Sequence, residues 1–480
     1  MSRWLRERGL GFVLAAGVVV SGLGLDHAMA QGGGGGELPD YPIPSTSGEA
    51  YSPIREGFES PIEPRSHLRG PRYYVDPREA RLEAMRAQRW PNAPAFFRDT
   101  DLRANSRTYL FDEDDFGFND PEALTTGGWL AYQSGFVSDV FQLRGALYTS
   151  QPLYANAFAG DTENLSSDGD QITTLGQING RAVFAGQEVT AGRQLVRTPY
   201  INPYDVRMIP LTFEGVVLVP EHKDEPKLDY IASYLSRYKP RNSSSFIPFS
   251  QGLGVTQDEG VLMTGASHHS ERWNIGAINY WINDTLNTAY GEIDYLLPFG
   301  GGEGEPSFRI GINDLDQRTV GADLIAGAPY NTYQASARLV ASYQGFVLTG
   351  ALSQVGSEAD IQKPFGFSTS YTAMIVTNFH QAGVRAYMLS LSYDLENVGL
   401  KDVKLHAAWG RGYAKSTPAN QGFADQDELD LRFVYEPHGG ALQGLRVELE
   451  YIDWQVFGQP FPSDDLTQFR AIVNYSVPLL

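Results

Sequence analysis

From about residue 103 to the end of the chain, apolar and polar side chains alternate in segments of about ten residues. In the segment near 426–437, for example, Leu429, Leu431 and Phe433 alternate with Asp430 and Arg432. Successive side chains of a β-strand point to opposite faces of its sheet, so a period of two predicts strands with one apolar and one polar face. The alternation predicts an all-β fold of about 18 antiparallel strands.

The predicted strands share this alternation and a length of about ten residues. They lie near 103–112, 127–137, 139–149, 171–184, 187–197, 211–219, 227–238, 259–269, 271–283, 286–297, 305–314, 332–343, 345–354, 385–395, 402–413, 426–437, 444–454 and 466–479. Long and short connections alternate between them, except near Asp284, where a long connection is expected and a short one occurs. This pattern is typical of a transmembrane β-barrel with both termini in the periplasm.

The positions of the arginines indicate which face of the strands contacts water. Arg338, Arg432 and Arg470 all lie on polar faces of their segments. One Arg at the lipid midplane costs ~2–4 kcal/mol, whereas a domain's net stability is typically ~5–15 kcal/mol. The polar faces should therefore line the lumen, and about 18 strands enclose an aqueous channel. A soluble sandwich alternates too, but segment length, loop alternation and Tyr and Trp at segment ends favour the barrel.

The first thirty residues have the pattern of a secretory signal peptide. Arg3, Arg6 and Arg8 precede an apolar stretch over 12–25, and Ala-Met-Ala at 28–30 forms a cleavage-site pattern. We therefore predict that residues 1–30 direct export.

Residues 31–99 differ in composition from the barrel segments. They are rich in Gly and Pro and lack sustained alternation, which predicts a mostly disordered N-terminal extension with a short helix near 77–89. Residues 100–480 then form the transmembrane barrel. No run after the signal peptide approaches the ~20 apolar residues of a spanning helix.

Composition and motifs argue against several other functions. A formal charge of −20 disfavours a nucleic-acid partner, and the absence of cysteine excludes disulfides and thiolate metal sites. His268 and His269 lie beside Ser267, but no Gly-x-Ser-x-Gly surrounds them. The acids at Asp168 and Asp170 lack the Glu that completes a calcium loop. We predict no enzymatic activity, no metal site and no cofactor.

The segment at 193–210 interrupts the alternation. It contains three prolines, two tyrosines, an aspartate and three arginines, so it cannot be a central strand. Between two barrel strands it is either an ordinary surface loop or a stiff loop that folds inward and narrows a pore.

Four stretches resemble the OprD family of outer-membrane porins. They are Trp-Leu-Ala-Tyr-Gln-Ser-Gly-Phe at 129–136, Pro-Tyr-Asp-Val-Arg-Met-Ile-Pro-Leu-Thr-Phe-Glu-Gly at 203–215, Phe-His-Gln-Ala-Gly at 379–383 and Leu-Ser-Tyr-Asp-Leu at 391–395. The most specific is the pattern Asp-x-Arg-x-x-Pro-x-Thr-Phe-x-Gly, which lies where the chain leaves the third long loop. The chain departs from the usual pattern in ending on Leu480, where outer-membrane barrels usually have an aromatic residue.

The resemblance implies an eighteen-stranded porin for small, mostly carboxylate-bearing solutes such as amino acids and aromatic acids. A basic ladder of wall arginines would lead to a constriction made by the third loop and others. The resemblance implies these constriction and substrate-binding residues: Arg193, Arg197, Tyr204, Asp205 and Arg207. The ladder arginines would be Arg309, Arg338, Arg432, Arg446 and Arg470.

The lumen is predicted to carry acids as well. Glu292, Asp294, Asp430, Glu448 and Glu450 share the polar faces, so a mixed wall could hold a zwitterion, or the charges could pair and only hydrate the wall.

We therefore predict an outer-membrane porin for passive, selective diffusion of small carboxylate-bearing solutes. Its partners would be the solute, outer-membrane lipid and lipopolysaccharide, and the protein would be a monomer or a weak homotrimer. The alternatives are an exported β-rich surface or binding protein without transport, and a barrel hydrolase.

Overall fold

The structure is a computed structural model, and it describes residues 92–114, 120–221, 228–270, 272–299, 306–322, 325, 329–414, 419, 425–437, 442–457 and 465–479. The predicted signal peptide, the predicted helix near 77–89 and nearly all of the extension lie outside these residues. The first described element is a short α-helix, Ala95–Arg98, which follows Pro94. In the described part of the chain, no helix is both long enough and apolar enough to span a bilayer.

Within the described residues, nineteen strands join in a single antiparallel sheet. The strands are β1 Asp101–Asp114, β2 Glu122–Gln133, β3 Phe141–Ala155, β4 Ile172–Phe184, β5 Gln187–Gln194, β6 Thr212–Pro220, β7 Leu228–Lys239, β8 Ile247–Pro248, β9 Val261–His269, β10 Trp273–Ile282, β11 Leu286–Pro298, β12 Ser307–Thr319, β13 Asn331–Tyr343, β14 Phe346–Val355, β15 Val384–Asp394, β16 Val403–Ala414, β17 Asp425–Tyr435, β18 Leu445–Phe457 and β19 Leu466–Pro478. Three short helices lie in the connections: Ala159–Thr162, Phe249–Gly252 and Leu395–Val398.

The sheet closes on itself. The first strand, β1, pairs with β2 on one side and with β19 on the other, where the register runs from Arg103 opposite Pro478 to Asp114 opposite Thr467. The two-residue strand β8 pairs only with the end of β7, while β7 pairs along its length with β9. The wall therefore consists of 18 strands. Closure removes the sheet edges and satisfies the backbone groups in the membrane, and it confirms the predicted barrel.

The strand boundaries differ most from the predicted ones at β2, β3 and β12. Strand β2 begins at Glu122 rather than near 127, β3 ends at Ala155 rather than near 149, and β12 ends at Thr319 rather than near 314. In β2 the alternation is not visible in the sequence at Gly127 and Gly128, because glycine has no side chain. A Cβ on Gly128, whose φ is +123°, would lie 1.9 Å from the carbonyl oxygen of Asn105, so this close approach of β1 and β2 requires glycine.

A soluble sandwich has apolar side chains inside and polar side chains outside, and this wall has the reverse arrangement. Large apolar side chains face outward and are exposed, such as Ile312 at 58% and Leu389 at 54%. The inward polar side chains pack against one another, and Glu448, between Arg432 and Arg446, is only 1% exposed. Trp273 and Trp281 lie at the two ends of β10 on the outward face, as in an interfacial aromatic belt. The apolar band therefore faces lipid and the polar face lines the bore.

The connections follow the predicted long and short alternation. At one end of the barrel, the long-loop end, residues 156–171, 195–211, 240–260 and 356–383 form long connections. The predicted exception is present, since only residues 283–285 join β10 to β11, and Asp284 adopts a φ of +52° there. At the opposite, short-turn end, β4 and β5 are joined by Ala185 and Gly186 alone.

Candidate pore constriction

The β5–β6 connection, residues 195–211, crosses the bore. At one side Asp205 accepts a hydrogen bond from Arg107 of β1, with 2.6 Å between Nη1 and Oδ1. At the other side the ring of Tyr200 lies 5.2 Å from that of Tyr280 of β10. Seven wall strands (β2–β7 and β9) separate β1 from β10 on one side of the barrel, and nine (β11–β19) on the other. The segment is thus an inward-folded loop and not an ordinary surface loop.

Aromatic packing holds this loop in place. Phe365, from the β14–β15 connection, contacts three other rings, with centroids 5.8 Å from Tyr200, 5.1 Å from Tyr238 and 4.8 Å from Phe249. Burying one such aromatic side chain stabilises a fold by ~1.5–3 kcal/mol, so this cluster joins three loops firmly inside the long-loop half of the barrel.

A second loop, the β14–β15 connection at 356–383, also folds into the bore. The carboxylate of Glu428 on β17 accepts hydrogen bonds from the backbone N–H groups of Val376 and Thr377, at 2.7 and 2.6 Å. Beyond four intervening strands of the wall, Gln317 of β12 donates to the carbonyl of Gln362 at 2.7 Å and accepts from its N–H at 2.8 Å. These contacts hold the loop against the inner wall at both β12 and β17, and Lys363 follows directly after Gln362.

The two loops enclose a cavity of about 410 Å³ together with the β3–β4 and β7–β9 connections and β19. We call it the constriction cavity. Its described charged and aromatic lining residues include Glu163, Tyr204, Arg207, Tyr238, Arg241, Lys363 and Arg470. Four of these are cationic and one is a carboxylate, so the narrow part of the bore is electropositive.

Two of the cations, Arg207 and Lys363, are half-buried and come from different loops. Arg207 donates from Nε to the carbonyl of Thr162 at 2.9 Å, and its guanidinium lies 5.1 Å from the ring centre of Phe111. Burial lowers the pKa of Arg207, and the neighbouring Arg470 lowers it further. Burial likewise lowers the pKa of Lys363. Both groups are thus cations for which an anionic partner offsets the cost of desolvation.

The five predicted constriction residues fall in different places. Tyr204 and Arg207 line the constriction cavity. Asp205 instead anchors the loop to β1 through Arg107. Arg197 lines a second cavity of about 120 Å³. The side chain of Arg193 pairs with Glu214 at 2.9 Å and lies over Phe246, and it lines neither of these two cavities.

The predicted ladder arginines are buried beside acids. On β17–β19 the side chains form a chain of alternating charge from the short-turn end toward the constriction cavity. Its successive ion pairs are Glu436–Arg446 at 2.6 Å, Arg446–Glu448 at 3.0 Å, Glu448–Arg432 at 3.0 Å, Arg432–Glu450 at 2.7 Å and Glu450–Arg470 at 3.4 Å.

The other two ladder arginines lie on the adjacent strands β12 and β13. Arg338 of β13 pairs with Asp294 of β11 at 2.9 Å and lines the second cavity. Arg309 is buried on β12, the neighbouring strand. The alternation predicted that these arginines face the bore, but it could not identify their acidic partners.

Sequence reasoning missed Glu163, Arg241 and Lys363, which line the constriction cavity, and Arg107, which anchors Asp205. The three cavity residues lie in connections without periodicity, so no sequence pattern marked them. Arg107 lies in the alternation of the first predicted strand and could have been assigned to the polar face.

A closed barrel with a lipid-facing outer band and a bore narrowed by inward loops defines an outer-membrane porin. Over residues 94–479 the sequence matches a family described as outer membrane porin, OprD family. The chain belongs to this family, as the resemblance of the four stretches predicted, and its location is the outer membrane.

Solved structures share the fold. The structure of OpdK from Pseudomonas aeruginosa with vanillate has a TM-score of 0.68 and 20% identity, and the match covers 80% of this chain and 100% of that one. OccAB2 of Acinetobacter baumannii has a TM-score of 0.71 and 17% identity, with 81% and 100% covered. A BenF-like porin from Pseudomonas fluorescens Pf-5 has a TM-score of 0.70 and 16% identity, with 80% and 100% covered. Among the curated proteins, none matches this chain.

Proposed function

We propose that this porin gives passive, selective passage to small carboxylate-bearing solutes. The observation that carries the proposal is the excess of cations over carboxylates in the constriction cavity. Every solute that crosses must pass the residues of the two inward loops, so the charge of this cavity sets the selectivity of the bore.

The physical basis is the low-dielectric surroundings of these cations. A narrow bore with low-dielectric walls focuses the field of its charges and raises the local concentration of the opposite charge. At 4 Å and an effective dielectric constant of about 20, two unit charges interact by ~4 kcal/mol before desolvation. A carboxylate also accepts the short, charge-assisted hydrogen bonds that Arg and Lys donate. A cation of the same size gains neither the electrostatic attraction nor these hydrogen bonds.

The alternating chain on β17–β19 plays a different part in this proposal. Its arginines are compensated by acids, so it hydrates the wall and offers weak, exchangeable contacts between the constriction cavity and the short-turn end. Weak contacts along the exit favour passage, because a solute must leave the bore as readily as it enters.

A related structure agrees with this solute class, since OpdK has been solved with vanillate, an aromatic carboxylate. The relatives are porins, and we infer no enzymatic activity for this chain. The lipid and lipopolysaccharide partners and the monomeric or weakly trimeric state stay predictions.

Replacing Arg207 tests the proposal. Arg207→Gln keeps a donor for the Thr162 carbonyl but removes the charge, so we expect the ratio of anion to cation permeability to fall roughly severalfold. Reversal potentials across a salt gradient in planar bilayers measure this ratio. The matched control is Arg385→Gln: Arg385 is exposed on β15 between the buried Val384 and Ala386, and its side chain faces away from the bore. Equal ratios in the wild type and Arg207→Gln would contradict the proposal.

A further inference from the structure

The four cations of the constriction cavity differ in whether an acid already compensates them. Arg241 forms an ion pair with Glu163, which is the one carboxylate among the described lining residues. Arg470 lies 3.4 Å from Glu450, the last member of the alternating chain. Two of the four positive charges are therefore paired before any solute arrives.

The other two, Arg207 and Lys363, have no such partner in the described chain. The hydrogen bonds of Arg207 go to the carbonyls of Thr162 and Val206 and to the hydroxyl of Tyr109, all of them neutral. Among the residues that the structure describes, no carboxylate lies within 4.0 Å of Arg207 or Lys363. Glu163 is the one described carboxylate that raises the pKa of both groups, and Arg241 already pairs it.

The two uncompensated cations come from different loops that face one cavity. Arg207 belongs to the β5–β6 loop and Lys363 to the β14–β15 loop, and both line the constriction cavity. The two loops are fixed relative to each other, because the N–H of Phe367 donates to Oδ1 of Asn202 at 3.0 Å and the N–H of Asn202 donates to the carbonyl of Phe365 at 3.1 Å. The cavity thus presents two cations from a preorganised frame.

We propose that the constriction cavity prefers small dicarboxylates, with one carboxylate at Arg207 and the other at Lys363. This inference rests on the proposed function and names its solute class. A monocarboxylate compensates one of the two cations and leaves the other desolvated and unpaired, whereas a dianion compensates both. An amino-acid zwitterion is disfavoured, because its ammonium would meet cations and an acid that is already paired.

A pair of isosteric solutes tests the inference. Succinate and succinamate have nearly the same shape, but an amide replaces one carboxylate in succinamate. At pH 7.5 in planar bilayers, we expect succinate to half-block the chloride current of the wild type at a concentration roughly tenfold lower than succinamate does. In Lys363→Gln the two solutes should block at similar concentrations. Lys363→Arg should restore most of the difference, and Arg385→Gln should keep all of it.

The outcomes separate this inference from the proposed function. If the wild type prefers anions but succinate and succinamate block equally, the dicarboxylate inference is overturned and the porin proposal stands. If Lys363→Gln keeps the full difference, the assignment to Lys363 is overturned. If the wild type shows no anion preference, the proposed function is overturned as well.

Discussion

Lys363 is the constriction residue with the most distinctive surroundings, since it is a half-buried ammonium contributed by a loop. Tyr204 and Glu163 stabilise its charged form, Arg241 opposes it, and Arg207 and Arg470 line the same cavity. Burial dominates and lowers the pKa of Lys363. Its charge is therefore lost at a lower pH than that of a free lysine, whose pKa is about 10.4.

A pH titration of the pore follows from this shift. Because the lowered pKa disfavours the ammonium, the anion preference should decline as the pH rises through that pKa, below the range in which exposed lysines titrate. Reversal potentials recorded from pH 7 to pH 10 measure the decline. Lys363→Arg should remove it, since arginine stays charged over this range. A flat profile in the wild type would contradict the assignment.

Residue-level prediction from the sequence succeeded where a period existed. Alternation assigned Arg432, Glu448 and Glu450 to the inner face, and all three are buried there. It could not pair them, because the partners depend on inter-strand register, and a slip of one residue exchanges the two faces. The position of Lys363 in the cavity could not be predicted for a different reason. Its loop has no periodic pattern, and its position depends on tertiary contacts.

The two inward loops are the elements that convert an open barrel into a selective one. Their close approach depends on Gly366, where a Cβ would lie 2.5 Å from Nδ2 of Asn202. Proline content and the resemblance together led to the correct view that the β5–β6 loop folds inward. In the β14–β15 loop the resemblance covered only residues 379–383, and no sequence pattern predicted that Glu428 would anchor this loop.

Removing that anchor should loosen the second loop. An intramolecular hydrogen bond contributes ~0.5–1.5 kcal/mol, and Glu428 accepts two from the loop backbone. Glu428→Ala should therefore raise the mean conductance and the open-channel noise in single-channel recordings. Glu428→Gln keeps an acceptor oxygen and should show a smaller change. Traces from Glu428→Ala that match the wild type would mean that this contact does not position the loop.

At the scale of the whole molecule, closure between β1 and β19 makes one wall with lipid outside and an aqueous bore inside. The strand number and the wet face were predictable, because both follow from alternation over the whole barrel domain. How far the loops narrow the bore was not predictable, because this depends on how four long connections pack against one another.

One measurement tests the central claim that the bore passes small carboxylates through an electropositive constriction. The wild-type protein is inserted into a planar bilayer that separates two concentrations of potassium acetate, and the reversal potential is recorded. We predict stepwise conductance and a reversal potential whose sign shows acetate crossing more readily than potassium. A preference for potassium, or a bilayer that shows no steps, would contradict the account.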